Sequence, residues 1–164
     1  MKKIFFIILA ICYVFIIFLF SAQPASQSSS ESKGVAAKIY ETVVVKIDKA
    51  HVISKEAFIN RAEPIIRKTA HFANFFILAF LICLSVDCFN KPKRYSAALV
   101  FGICVIIAII DELHQLFVDG RACRFTDVII DSGGAAFGMT IFNLYKKIIG
   151  RISLWKRVKK GNVK

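Results

Sequence analysis

The residues best suited to chemistry concentrate in one stretch, Asp111-Glu112-Leu113-His114-Gln115, which runs on through Leu116-Phe117-Val118-Asp119-Gly120-Arg121. It closes an apolar run, Ala97 to Ile110, that holds no charged residue. Ionisable side chains attached to so apolar a run are costly in lipid, which makes them functional candidates. On a helix, Asp111 shares a face with His114 and Gln115 at i+3 and i+4, while Glu112 points about 100° away and can meet another neighbour. One or two charges capping a membrane helix at the water interface would need no further account. Four polar residues in five, followed by Gly-Arg, ask for one.

Three chemistries suit the residue types. Arg67, Lys68, Arg121 and Arg124 can bind an anionic headgroup such as a lipid phosphate or pyrophosphate, because guanidinium groups match phosphate geometry. The amino-terminal ends of the second and fourth expected helices add favourable dipoles. Alternatively, Asp111, Glu112, Asp127 and Asp131 with His71 or His114 have the side chains of a divalent-cation site that hydrolyses or transfers a group. Asp111, Glu112, His71 and His114 are then the acid–base candidates. No spaced motif such as HExxH is present, so no metal ligand is assigned and no cofactor is indicated. In the third reading the carboxylates and basic groups pair to hold a helix bundle together, as buried charges must, with Glu112 and Lys68 or Arg67 as natural partners.

The elements that position these residues are membrane helices. The chain has 164 residues and is 57% hydrophobic, too apolar for an ordinary soluble domain. Its net charge of +12 could suggest nucleic acid. The basic residues cluster at the ends of apolar runs, which points instead to membrane topology and lipid headgroups. Cys12, Cys83, Cys88 and Cys104 lie in apolar runs and Cys123 stands alone in a polar loop, so neither a disulfide framework nor a zinc site is indicated.

Apolar patterning predicts spanning helices over residues 4–21, 69–89, 96–117 and 127–149. Residues 21–30 read as a small, polar linker that breaks the helix after the first span. Residues 35–66 show helical spacing of apolar residues and are expected to form an outer amphipathic segment, on the membrane or over the bundle. Residues 150–164 form a basic tail. The amino-terminal lysines, the basic turn around Lys91, Lys93 and Arg94, and the tail then share one side, which the positive-inside rule makes cytoplasmic.

That topology places the start of the second span, the end of the third and the start of the fourth at one outer level. Arg67, Lys68 and His71 come level with Asp111, Glu112, His114 and Gln115, and with Arg121, Arg124, Asp127 and Asp131. Arg67, His71 and Asn74 share one helix face; Asp127, Asp131, Gly134 and Gly138 share another. Gly134 and Gly138 form a small-xxx-small pair that allows close helix approach.

Four features carry a resemblance. They are the Phe20-Ser21-Ala22-Gln23-Pro24 exit from the first span, Arg67-Lys68-x-x-His71-Phe72, Asp111-Glu112-x-x-Gln115 with Gly120-Arg121, and Asp127 leading to Gly134 and Gly138. Together they resemble the VanZ family of small membrane proteins, over most of the chain apart from the linker helices and the basic tail. The resemblance implies a four-helix membrane protein and a link to glycopeptide (teicoplanin) resistance. Phe75 stands where many relatives carry Tyr, Asp119 where Pro is common, and Asp131 where Asn is usual.

The chain is therefore expected to be an all-α integral membrane protein of four transmembrane helices, with an amphipathic helical segment between the first and second. The cell membrane, with both termini cytoplasmic, is its expected location. Its partners are expected to be membrane lipids, not nucleic acid, and its function to bind or modify an anionic envelope lipid or cell-wall precursor headgroup at the outer face. A membrane enzyme acting on phosphorylated lipids is the second expectation. A small transporter is the third, without a visible inverted repeat or broken-helix pair to support it.

Overall fold

A computed structural model describes residues 2–47, 53–87 and 93–161. Among the described residues there are helices and turns and no strand: α1 (Lys2–Ser21), α2 (Ala25–Ile39), a π-helical turn (Tyr40–Val44), α3 (Val45–Ile47), α4 (Lys55–Asp87), α5 (Lys93–Gln115) and α6 (Phe125–Gly161). Four of these, α1, α4, α5 and α6, are long and apolar enough to cross a membrane. The chain is thus a multi-pass membrane protein in character, with a shorter helix between the first and second long ones.

Four expected boundaries move. The polar linker after α1 is only a tight corner, because Ala25–Ser30 already belongs to α2. Pro24 stands just outside the first helical residue, where its missing N–H costs nothing. The Gln23 and Gln27 side-chain amides each donate 3.3 Å to Glu31, so the polar run finds its partners along the helix. Ser32 and Ala36 are buried where α2 packs on α4.

Residues 55–66, expected in the outer segment, form the first third of α4. Pro64 lies inside that helix, where it removes one backbone hydrogen bond without ending the helix. At about 1.5 Å per residue α4 is about 50 Å long, well beyond a hydrocarbon core of about 30 Å. Its polar first third therefore continues the span out of the membrane.

At the other boundary, α5 stops at Gln115, and Leu116 and Phe117 turn back with their N–H groups on the carbonyls of Leu113 and His114. α6 continues helically to Gly161, so most of the expected basic tail extends the fourth span. Residues 88–92, with Cys88 and much of the expected basic turn, lie outside the described residues. So do 48–52 of the expected outer segment and 162–164 of the tail.

The core follows α4. Phe75, Leu78 and Ala79 are fully buried and meet Val100, Cys104 and Ala108 of α5, Ala135 and Phe142 of α6, and Ala10 and Ile17 of α1. α6 packs most extensively against α4. A Cβ at Gly134 would collide with the Phe72 carbonyl, and one at Gly138 with the Phe76 carbonyl. Both contacts advance by four residues in the same direction, so α4 and α6 run parallel with their backbones touching. Large apolar side chains on the outer faces of α1 and α5, such as Phe5, Phe15, Leu99 and Ile106, remain exposed and suit a lipid environment.

Candidate functional site

The close approach of α4 and α6 sets the first relationship in the site. One residue before Phe72, His71 points its Nδ1 at Asp131 Oδ1, 3.6 Å away, and Asp131 stands three residues before Gly134. Asp131 is 0% exposed. The last turn of α5 supplies Asp111, Glu112 and Gln115, all buried. The Gln115 side-chain amide donates to Asp111 Oδ2 at 3.1 Å and to Glu112 Oε1 at 3.2 Å, bridging the two carboxylates. Glu112 Oε2 accepts the Arg124 backbone N–H at 2.8 Å, which ties the loop before α6 to the end of α5.

That loop is shaped by Gly120, whose φ of 69° lies in the left-handed region that glycine adopts without strain. The turn is also stitched to the corner after α1. Ala25 donates its N–H to the Asp119 carbonyl at 3.1 Å, and Arg121 donates Nε to the Gln23 carbonyl, also at 3.1 Å. The terminal amines of the Arg121 fork make no hydrogen bond among the described residues. Burial, and after it the positive charge of Arg67, push the Arg121 pKa below its ordinary range. Arg67 pairs with Glu63 one turn earlier on α4, while its buried Nε has no partner in the protein.

Two cavities flank this arrangement, one of about 250 Å³ and one of about 140 Å³. Arg67, His71 and Arg121 line both. The larger also takes in Ser21, Gln23, Glu31, Asn74 and Asp111, with Ile17, Phe20 and Phe75 among its apolar lining. Lys68, Gln115, Arg124 and Asp127 border the smaller. Asn74 is held by Tyr13, whose hydroxyl donates to its Oδ1 at 3.2 Å.

Most of the residues singled out by sequence therefore meet in one layer. His114 stands apart from them: its ring is edge-on to Phe18 of α1, with centroids 5.7 Å apart, and it is not among the four residues whose ligand atoms cluster within 4.8 Å. The expected pairing of Glu112 with Lys68 or Arg67 is not formed. Glu63 lies on the same helix face as Arg67 at i+4 and is the nearer partner, while Glu112 is already engaged by Gln115 and Arg124. Lys68, one position round the helix from Arg67, is exposed.

Four further residues belong to the site. Ser21, Gln23 and Glu31 line the larger cavity and Glu63 engages Arg67. Gln23 contributes a main-chain carbonyl, which no side-chain pattern announces. Glu63 was detectable, as the acidic residue one helical turn before Arg67.

The family model described as VanZ/LLP1 matches residues 6–146, a range that contains every residue of this site. Neither a curated protein nor a solved structure matches the chain.

Proposed function

Because this chain belongs to the VanZ/LLP1 family, we propose that it is a VanZ-like membrane protein whose site binds the anionic headgroup of an envelope lipid or cell-wall precursor at the outer face. The observation that carries this reading is the pair of guanidinium groups, Arg67 and Arg121, bordering both cavities from segments far apart in the chain. Two cations brought this close repel each other, and an anion between them relieves the repulsion. Planar forks suit the oxygens of phosphate or pyrophosphate.

The larger cavity has the mixed character that an amphiphile requires. Arg67 and Arg121 line it together with the apolar side chains of Ile17, Phe20 and Phe75. Its volume of about 250 Å³ suits a headgroup and the first carbons of a chain better than a whole glycopeptide. Basic residues at the start of α1 and along the end of α6 lie on the side opposite the site, which supports an outward-facing cavity. On this reading the link to teicoplanin tolerance, implied by the family resemblance, runs through a precursor or lipid held at the outer face. A membrane enzyme acting on phosphorylated lipids is the second reading, favoured by His71, which borders both cavities with Asp131 behind it.

Native mass spectrometry of the protein in mild detergent tests the proposal. The wild-type chain is expected to retain an anionic phospholipid or lipid pyrophosphate, and Arg67→Ala or Arg121→Ala to lose it. Retention that is equal in all three would overturn the reading.

A further inference from the structure

Behind the two arginines lies a set of side chains that headgroup binding leaves unused. His71 of α4, Asp111 and Glu112 of α5, and Asp131 of α6 each present one ligand atom within 4.8 Å of the others. Twice a metal–ligand bond of about 2.1 Å is about 4.2 Å, so a small contraction would put all four around one ion. The spacing is tight for three carboxylates that have one imidazole between them.

The unmet hydrogen-bonding capacity points the same way. Both oxygens of Asp131 and Oδ1 of Asp111 are buried and have no hydrogen-bond partner within 3.5 Å among the described residues. Their residues are 0% and 1% exposed. Buried carboxylates require a partner for each ionised oxygen, and His71, at 3.6 Å, can answer only one. Other carboxylate oxygens of the set each accept one hydrogen bond, which leaves a second lone pair free for an ion. Gln115 holds Asp111 Oδ2 and Glu112 Oε1, and the Arg124 N–H holds Glu112 Oε2. Outer hydrogen bonds of this kind orient the ligands of metal sites.

We infer that His71, Asp111, Glu112 and Asp131 bind one divalent metal ion. Three carboxylates with one imidazole suit Mn²⁺, Fe²⁺ or Zn²⁺ better than a soft metal. His71 and Asp111 also line the larger cavity, which gives the ion a way in and sets it beside the bound anion. The packing of three helices selects these four from the wider set of cation-site candidates, leaving out Asp127 and His114.

Mn²⁺ alone serves as the probe, with full-length protein in mild detergent after chelation and dialysis. Wild type is expected to take up about one Mn²⁺ per chain, with a rise in Tm and nitrogen coupling from histidine in the Mn²⁺ spin-echo spectrum. Asp131→Asn and His71→Gln should each weaken binding by at least about tenfold, while Cys123→Ser, at an exposed residue that lines neither cavity, should keep it. No Mn²⁺ uptake by wild type, or bound Mn²⁺ without histidine nitrogen coupling, overturns the inference, and neither measurement depends on how any variant folds. Uptake unchanged in a folded Asp111→Asn/Asp131→Asn double variant also overturns it. Lipid retention is not read in this experiment, so failure of the headgroup proposal and failure of the metal site remain distinguishable.

Discussion

Gly134 rests its Cα against the carbonyl of Phe72, and that contact brings His71 to Asp131. The small residue is used here for reach: it lets the α4 and α6 backbones touch where a histidine and a carboxylate must meet. Gly134→Ala and Gly138→Ala are expected to cost about 1–3 kcal/mol each through overpacking, since the obstructing atoms are backbone and cannot swing away. Gly34 and Gly102 have open space where a Cβ would go, and Ala there should be neutral or slightly stabilising. Thermal unfolding in detergent and steady-state abundance in the membrane check both halves of the comparison.

Arg121→Lys separates the site from the scaffold. Lysine keeps the charge but lacks the planar fork that holds the Gln23 carbonyl through Nε and offers its terminal amines to a ligand. The variant is expected to remain abundant and to lose both lipid retention and any teicoplanin tolerance. A loss of protein in proportion to the loss of tolerance would return Arg121 to a purely structural role.

Gln115→Ala is expected to act on stability first. Its amide is the hydrogen-bond donor between Asp111 and Glu112, and its removal leaves two buried carboxylates facing each other. A cost of about 1–3 kcal/mol follows from stranding those acceptors. A drop in Tm that Gln115→Asn does not restore is expected, because the shorter side chain cannot reach both oxygens. Full restoration by Asn would show that the bridge is unimportant.

Sidedness has a direct test. Cys123 is exposed in the turn beside the site. In an otherwise cysteine-free chain it should react with an impermeant thiol reagent added outside intact cells, whereas a cysteine replacing Lys93 at the start of α5 should not. The reverse pattern would place the whole polar layer in the cytoplasm.

The long helices and the faces they present were legible because lipid imposes one strong rule, apolar length, and helices add a second, the period of 3.6 residues. Asp131, Gly134 and Gly138 could be put on one face from spacing alone, and α6 does turn that face to α4. The start of α4 was hidden by Pro64, a residue that reads as a boundary and here is merely a missing hydrogen bond. The corner at Gln23 was hidden for another reason. Its contribution to Arg121 is a main-chain carbonyl, and such acceptors leave no trace in residue type. His71 and His114 look alike on paper; only the packing of α1 against α5, which sets Phe18 against His114, tells them apart.

The parallel contact of α4 and α6 also dictates an order of manufacture. The ribosome delivers Arg67 and His71 first, then Asp111 and Glu112, and only at the end Asp131 with the glycines that dock it. An aspartate at the centre of a lone inserting helix carries a penalty of about 2.5–3.5 kcal/mol, and Asp131, in the second turn of α6, carries a smaller one. Here that penalty is relieved by a helix already waiting in the bilayer. A nascent chain that stops after Gln115 therefore exposes α5 carboxylates and an α4 histidine that have no α6 to meet. Such a fragment bears the polar surface by which membrane proteases can distinguish an unfinished protein from a finished one.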